Sequence, residues 1–173
     1  MKPLDATVAA VDRLAKKLRA PDADVRPTLI IQTPWETKIM DAVTRDPEEK
    51  DLLYRVAVPN FIAKTKARSV TLVTMMWFTS HALPEGGESA LVRNEEGIVQ
   101  PPDGIMPRDS PNREERLMVV EATATSTEMF WARVVRSPTD PPRFDPLEPL
   151  EARYEAYILR HAQRALRAVA GPG

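Results

Sequence analysis

Four carboxylates lie close together in the chain, in and just before one apolar stretch. Asp109, Glu114 and Glu115 precede a predicted strand, and Glu121 lies on it. Metal-dependent nucleases and hydrolases gather acids near strand ends, because hard cations take several oxygen ligands and activate a bound water. Such a nuclease also places a lysine beside the strand acid, and the residues around Glu121 offer none. We therefore predict solvated charges at a strand edge and keep a metal-dependent hydrolase or nuclease as the alternative.

The two histidines have different predicted surroundings. With only His81 and His161 present, a multi-histidine metal site is excluded. His161 lies on the apolar face of a predicted helix and is expected to be a packing residue. His81 begins the loop after an apolar strand, where catalytic groups often lie. In the hydrolase alternative it acts with Asp109, Glu114 or Glu121, and no spacing in the chain indicates a serine–histidine–acid triad.

Phosphate recognition has two weak candidates. Gly86-Gly87 is followed by Glu88 and lacks the lysine and the helix start of a phosphate-binding loop. Arginines along one side of the last predicted helix would contact phosphate, but acids at a helix start and bases at its end also complement the helix dipole. We predict a solvated face, with nucleic-acid binding as a second alternative. These arginines are Arg153, Arg160, Arg164 and Arg167.

Three tryptophans accompany the predicted strands together with several methionines. Trp35, Trp77 and Trp131 would line a small-molecule pocket or an adaptable protein-binding surface if they were exposed. Packing in the core is the default expectation, because these residues lie on or beside the strongest strands. Where they reach the surface, they favour a binding partner over a reaction.

Composition sets the remaining bounds. The 173 residues suit one domain, and a net charge of -1 disfavours nucleic acid or an anionic membrane as a partner. The absence of cysteine removes disulfides and thiolate catalysis and fits a cytoplasmic location. No uninterrupted apolar stretch is long enough to span a membrane. No cofactor is predicted. Nine of the 17 prolines lie in 101–111 and 138–149, where we expect any functional surface.

Hydrophobic periodicity predicts an α+β fold, a single domain over residues 1–173. A mostly antiparallel sheet of about five strands packs against N-terminal, central and C-terminal helices. Pro59 should kink or split the central helix. A long Gly/Pro-rich loop covers about 80–111 and contains a minor hairpin over 90–93 and 98–100. The helices are expected at about 4–19, 46–66 and 147–169, and the strands at 28–33, 35–43, 69–79, 116–123 and 128–136.

Three short stretches carry a family resemblance. They are Pro27-Thr28-Leu29-Ile30, Thr74-Met75-Met76-Trp77, and Asp109-Ser110-Pro111-Asn112-Arg113-Glu114-Glu115 with the apolar strand after it. In this arrangement the chain resembles an uncharacterised family of bacteriophages and bacteria, whose second motif reads Ser-Glu-Ala-Trp and whose third reads Pro-Ser-x-x-Pro-x-Arg-x-Glu. Met75 and Met76 replace the Glu-Ala of the family, so no role of that glutamate carries over. The family has no known activity, and the resemblance implies only a mobile-element origin.

The first hypothesis is therefore a non-enzymatic accessory protein of phage or prophage origin. It would bind another protein, or a second copy of itself, through its proline-rich loops and its aromatic and methionine-rich strands. The hydrolase and the nucleic-acid binder stay as alternatives from other classes.

Overall fold

The computed structural model describes residues 3–82, 84–93, 100–150 and 157–171. The predicted α+β fold is confirmed, and the described residues form an antiparallel sheet of seven strands instead of about five. Within it, the contacts group into two compact units, Met1–Met75 with Leu117–Gly173, and Met76–Arg116. The helices are α1 Asp5–Ala15, α2 Pro47–Leu52, α3 Val58–Thr65 and α4 Arg160–Ala170, and the strands are β1 Thr28–Gln32, β2 Thr37–Asp41, β3 Ser69–Phe78, β4 Glu114–Thr123, β5 Thr127–Val135, β6 Arg143–Phe144 and β7 Glu148–Pro149.

The strand order in the sheet is β2-β1-β3-β4-β5-β6, and β7 also pairs with β5. The two strands beyond the predicted number, β6 and β7, are short pieces of the proline-rich segment, and both pair antiparallel with β5. The predicted helix start near residue 147 is wrong, because Glu148–Pro149 is extended and the Leu150 N–H donates to the Met129 carbonyl at 2.9 Å. Proline lacks a backbone donor and disfavours a helical residue before it.

Strand register assigns each side chain to a face of the sheet. Ile30 of β1 lies opposite Ile39 of β2 and Thr71 of β3, so these residues share one face. This face packs against α1, and the loop before β1 adds to it through the Val25 N–H, which donates to the Met75 sulfur at 3.0 Å. Its core cluster contains Ala10, Val11, Val25, Ile30, Val73, Leu117, Val119, Phe130 and Ala132.

The opposite face packs against the central and C-terminal helices. Lys38 of β2 points to that side, and its ammonium lies 5.6 Å from the ring centroid of Phe61 in α3. In turn, α3 packs against α4, whose buried residues are Ala162 and Leu166. The sheet is therefore covered on both faces along its central strands.

A π-helical turn, Leu53–Ala57, separates α2 from α3. The Val58 N–H bonds to the carbonyl of Leu53, five residues earlier. Pro59 has no N–H with which to continue the α-helical pattern, so the extra residue of the π turn is accommodated just before it. The kink or split predicted at Pro59 takes the form of a π-helical turn just before it, and the backbone stays helical on both sides.

The smaller unit, Met76–Arg116, has no buried apolar side chain among its described residues. Its described residues form two short 3₁₀ turns, Gly87–Ala90 and Pro107–Asp109. The Arg113 guanidinium stacks 4.7 Å from the ring centroid of Trp77. The predicted minor hairpin falls partly on residues 94–99, which lie outside the described residues.

Candidate functional site

His81, Asp109 and Glu114 of the smaller unit are exposed, and Glu115 is half-buried. His81 Nε2 lies 3.0 Å from the Thr79 hydroxyl, Asp109 accepts from Arg108 at 3.5 Å, and Glu114 accepts from Arg116 Nε at 3.1 Å. Each carboxylate is thus engaged with a neighbouring arginine. Throughout the described part of the chain, no three histidine, aspartate or glutamate side chains are placed to hold a metal ion. The geometry gives the metal-dependent hydrolase no support.

Glu121 departs from the expected solvated charge, because it is only 3% exposed. Strand alternation places it on the α1 face together with Leu117 and Val119. Its two carboxylate oxygens each accept the Leu4 N–H at 3.2 Å, at the N-terminus of α1. The Thr7 hydroxyl donates to the same carboxylate. Glu121 is therefore a buried anchor for a helix end, where the helix dipole favours negative charge.

The polar contacts of Glu121 continue across the sheet. The Thr7 hydroxyl lies 3.2 Å from the Thr71 hydroxyl of β3, so a hydrogen-bonded chain joins β4, α1 and β3. Burial raises the pKa of Glu121, and nearby Glu128 adds to the rise, while the bonds from Thr7 and Leu4 oppose it. These contacts fix the position of α1 and leave no open space for a substrate at the carboxylate.

Two of the C-terminal arginines donate hydrogen bonds within the protein. Arg160 is half-buried and its Nε donates to His161 Nε2 at 3.1 Å, while Arg167 Nε donates to the Ala124 carbonyl at 3.1 Å. Arg164 is exposed, and Arg153 lies outside the described residues. Desolvation, followed by the positive charges of the surrounding arginines, lowers the pKa of His161. A His161 held neutral beside arginine matches a packing role.

The tryptophans occupy three different environments. Core packing is wrong for Trp35, whose side chain is 82% exposed. It lies in the β1–β2 turn, where the Thr33 hydroxyl accepts the Trp35 and Glu36 N–H groups and holds the ring toward solvent. Trp77 is 40% exposed beneath Arg113, and Trp131 is half-buried opposite Glu148.

An open groove of about 1000 Å³ lies in the larger unit between α1 and the proline-rich segment 140–147. One wall is formed by Val8, Val11 and Ala15 of α1, and the floor by Leu117 and Ala132 of the sheet. The opposite wall and the charged rim consist of Pro141, Pro142, Phe144, Pro146 and Leu147, with Asp12, Lys16, Asp140, Arg143 and Asp145. An apolar interior with a rim of both charge signs is the composition of a recognition surface.

None of the individually predicted site residues lines this groove. The concentration of prolines at 138–149 was the signal available in the sequence, and it indicates the segment but not the residues opposite. Val8 and Ala15 belong to the amphipathic pattern of α1, which looks the same whether the helix side is covered or open.

No family model, no curated protein and no solved structure matches the chain. The resemblance to the phage and bacterial family stays a prediction, and function must be inferred from the geometry. None of the described helices has the length and apolar character needed to cross a membrane.

Proposed function

We propose that the protein is a non-enzymatic accessory protein that binds an apolar segment of another protein in the groove between α1 and segment 140–147. The observation that carries the proposal is the groove itself, whose apolar walls contain no acid–base pair or nucleophile. Its volume, about 1000 Å³, is at the upper end of ligand pockets. Its open form suits a length of polypeptide.

The composition of the walls supports binding with little rearrangement. Pro141, Pro142 and Pro146 restrict the backbone of one wall, so less conformational entropy is lost when a partner is bound. Helix α1, the other wall, is held at its N-terminus by Glu121. A pre-formed groove of this kind favours a partner segment with apolar side chains and charged flanks of both signs. A phage or prophage origin and a cytoplasmic location are part of this proposal.

Site-specific photo-crosslinking tests the groove in the host cell. Val8 is 37% exposed and lines the groove, so a photoreactive benzoylphenylalanine in its place should form an adduct with a defined host or phage protein. Val56 is 46% exposed on the π-helical turn and provides the matched control position. Adducts that are identical from both positions would contradict the proposal.

A second variant relates the adduct to the groove. Ala15→Glu places a carboxylate between apolar walls, and it should weaken binding of the purified crosslinked partner about tenfold or more, because a buried unpaired charge is costly. Val56→Glu should leave this affinity unchanged. Equal affinities for both variants would remove the groove as the binding site.

A further inference from the structure

Strand β2 is the last strand at one edge of the sheet, and two hydrogen bonds fix which of its backbone groups point outward. The Ala42 N–H donates to the Pro27 carbonyl at 2.8 Å, and the Thr33 N–H donates to the Glu36 carbonyl at 2.9 Å. Inward and outward residues alternate along an antiparallel pair. The even-numbered residues of β2 therefore bond to β1, and the odd-numbered residues direct their N–H and C=O groups away from the sheet. The outward residues are Thr37, Ile39 and Asp41.

The side chains at these odd positions form a symmetric pattern. From Trp35 through Thr37, Ile39 and Asp41 to Val43, apolar and polar residues alternate about Ile39. The apolar members are accessible, with Trp35 82%, Ile39 38% and Val43 44% exposed. Ile39 lies on the α1 face of the sheet, and Trp35 and Val43 lie just beyond the two ends of β2.

We propose that β2 pairs antiparallel with β2 of a second copy of this chain, with Ile39 on the two-fold axis. In this register Ile39 lies opposite Ile39 of the second copy and Thr37 lies opposite Asp41. Trp35, in the β1–β2 turn, comes near Val43 beyond the other end of the second strand. Each outward residue exchanges its free backbone hydrogen bonds with the residue opposite. The threonine hydroxyl can donate to the aspartate carboxylate, and the apolar side chains contact each other across the axis.

The charges of β2 are compatible with this pairing. Edge strands commonly avoid association by directing a lysine outward. Lys38 does not act in this way, since its ammonium contacts the Glu36 carboxylate at 3.2 Å and lies over the Phe61 ring. In the proposed register, Lys38 lies opposite Met40 and Glu36 lies opposite Ala42, so no like charges are directly opposed.

Neighbouring registers are less favourable. If the second strand slides by two residues in one direction, Ile39 lies opposite Thr37, Trp35 opposite Asp41, and Lys38 opposite Lys38. A shift in the other direction places Ile39 opposite Asp41. Only the register centred on Ile39 places this exposed side chain opposite another apolar one, which is why a second copy fits this edge.

Engineered cysteines test the pairing in the 173-residue chain, because it has no native cysteine. Residues directly opposite in a hydrogen-bonded antiparallel pair have Cα atoms about 5.5 Å apart, within the range that a disulfide spans. Mild oxidation of Ile39→Cys should therefore give a covalent dimer on a non-reducing gel. Val135→Cys on β5 is the matched control, since Val135 is also 38% exposed in a strand, and it should stay monomeric.

Mixing variants tests the register. Thr37→Cys and Asp41→Cys should form a mixed disulfide with each other several-fold faster than either variant forms a disulfide with itself. Equal rates of mixed and self-linked products would overturn the proposed register.

Sedimentation velocity tests the association without crosslinking. The wild-type chain should show a concentration-dependent dimer at micromolar concentrations, and Ile39→Lys should weaken the dimer at least about tenfold, because it places like charges on the axis. Val135→Lys should not change it, and circular dichroism should show that both variants are folded.

A wild-type chain that is monomeric at every concentration, with no excess of the Ile39→Cys dimer over the control, would overturn self-pairing. So would an Ile39→Cys adduct formed only with a different protein. Both results would leave the groove proposal untouched.

Discussion

Glu121 combines deep burial with an ionisable side chain, and its surroundings determine how it contributes to stability. Because burial raises its pKa in the folded protein, the folded state holds the proton more tightly than the unfolded state. Its contribution to the free energy of unfolding is therefore largest below the ordinary carboxyl pKa, near 4.5, and declines as the pH rises through the raised value.

Glu121→Gln should remove this pH dependence. The amide keeps an oxygen for the Leu4 N–H but carries no charge, so the variant should gain stability relative to wild type as the pH rises above 4.5. Urea unfolding of both proteins on either side of that pH measures the difference. Glu121→Ala is the comparison, since it leaves the Leu4 N–H unpaired and should cost about 1–3 kcal/mol. A difference between Gln and wild type that is the same at every pH would contradict the assignment.

The burial of individual side chains could be predicted from the sequence only in part. The alternation Leu117, Val119, Glu121 already assigns Glu121 to an apolar face, but the pattern alone does not say that a helix end supplies its hydrogen-bond donors. Trp35 shows the opposite case. Its residue type favours the core, and the hydroxyl-stabilised turn that exposes it depends on the geometry of Thr33.

The start of α2 gives a testable prediction about helix capping. Asp46 is the N-cap and its carboxylate accepts the Glu49 N–H at 2.8 Å, while the Glu49 carboxylate accepts the Arg45 N–H at 2.6 Å. Asp46→Ala should lower the free energy of unfolding by about 1 kcal/mol. Asp51→Ala removes an exposed ion pair with Arg55 and should cost less, about 0.5 kcal/mol. Chemical denaturation that ranks the two variants in the reverse order would refute the capping role.

Elements with strong local signals were predicted well. The Asp46-Pro47 start, the β-branched run of β1 and the apolar β3 all lie where the sequence places them. The last helix shows the limit of local pattern. The helical spacing of apolar residues continues back to Leu147, but residues 148–149 pair with the backbone of β5 instead. Periodicity cannot reveal a pairing partner elsewhere in the chain.

Apolar burial is unevenly distributed over the protein. All buried apolar side chains of the described residues belong to the larger unit. Replacing residues 79–113 by a short Gly-Ser linker should therefore leave a protein that still unfolds cooperatively in urea. Leu117 is fully buried, and Leu117→Ala should cost about 2–5 kcal/mol in both the intact and the shortened chain. A shortened chain without a cooperative transition would show that the smaller unit is required for folding.

The overall architecture followed from periodicity, while the groove and the open strand edge did not. The groove depends on the juxtaposition of α1 with segment 140–147, residues far apart in the chain. The β2 edge depends on which strand ends the sheet. Both are properties of the assembled topology, which local patterns of residues leave open.

The bond from the Val25 N–H to the Met75 sulfur has a consequence for oxidative damage. A chain without thiols is oxidised mainly at its thioethers. Met76 and Met106, which are 45% and 53% exposed, should react first and without loss of structure. Conversion of Met75 to its sulfoxide would insert an oxygen where sulfur and nitrogen are only 3.0 Å apart. The lifetime of the folded protein under peroxide should therefore depend on the oxidation of Met75, whose sulfur is hydrogen-bonded.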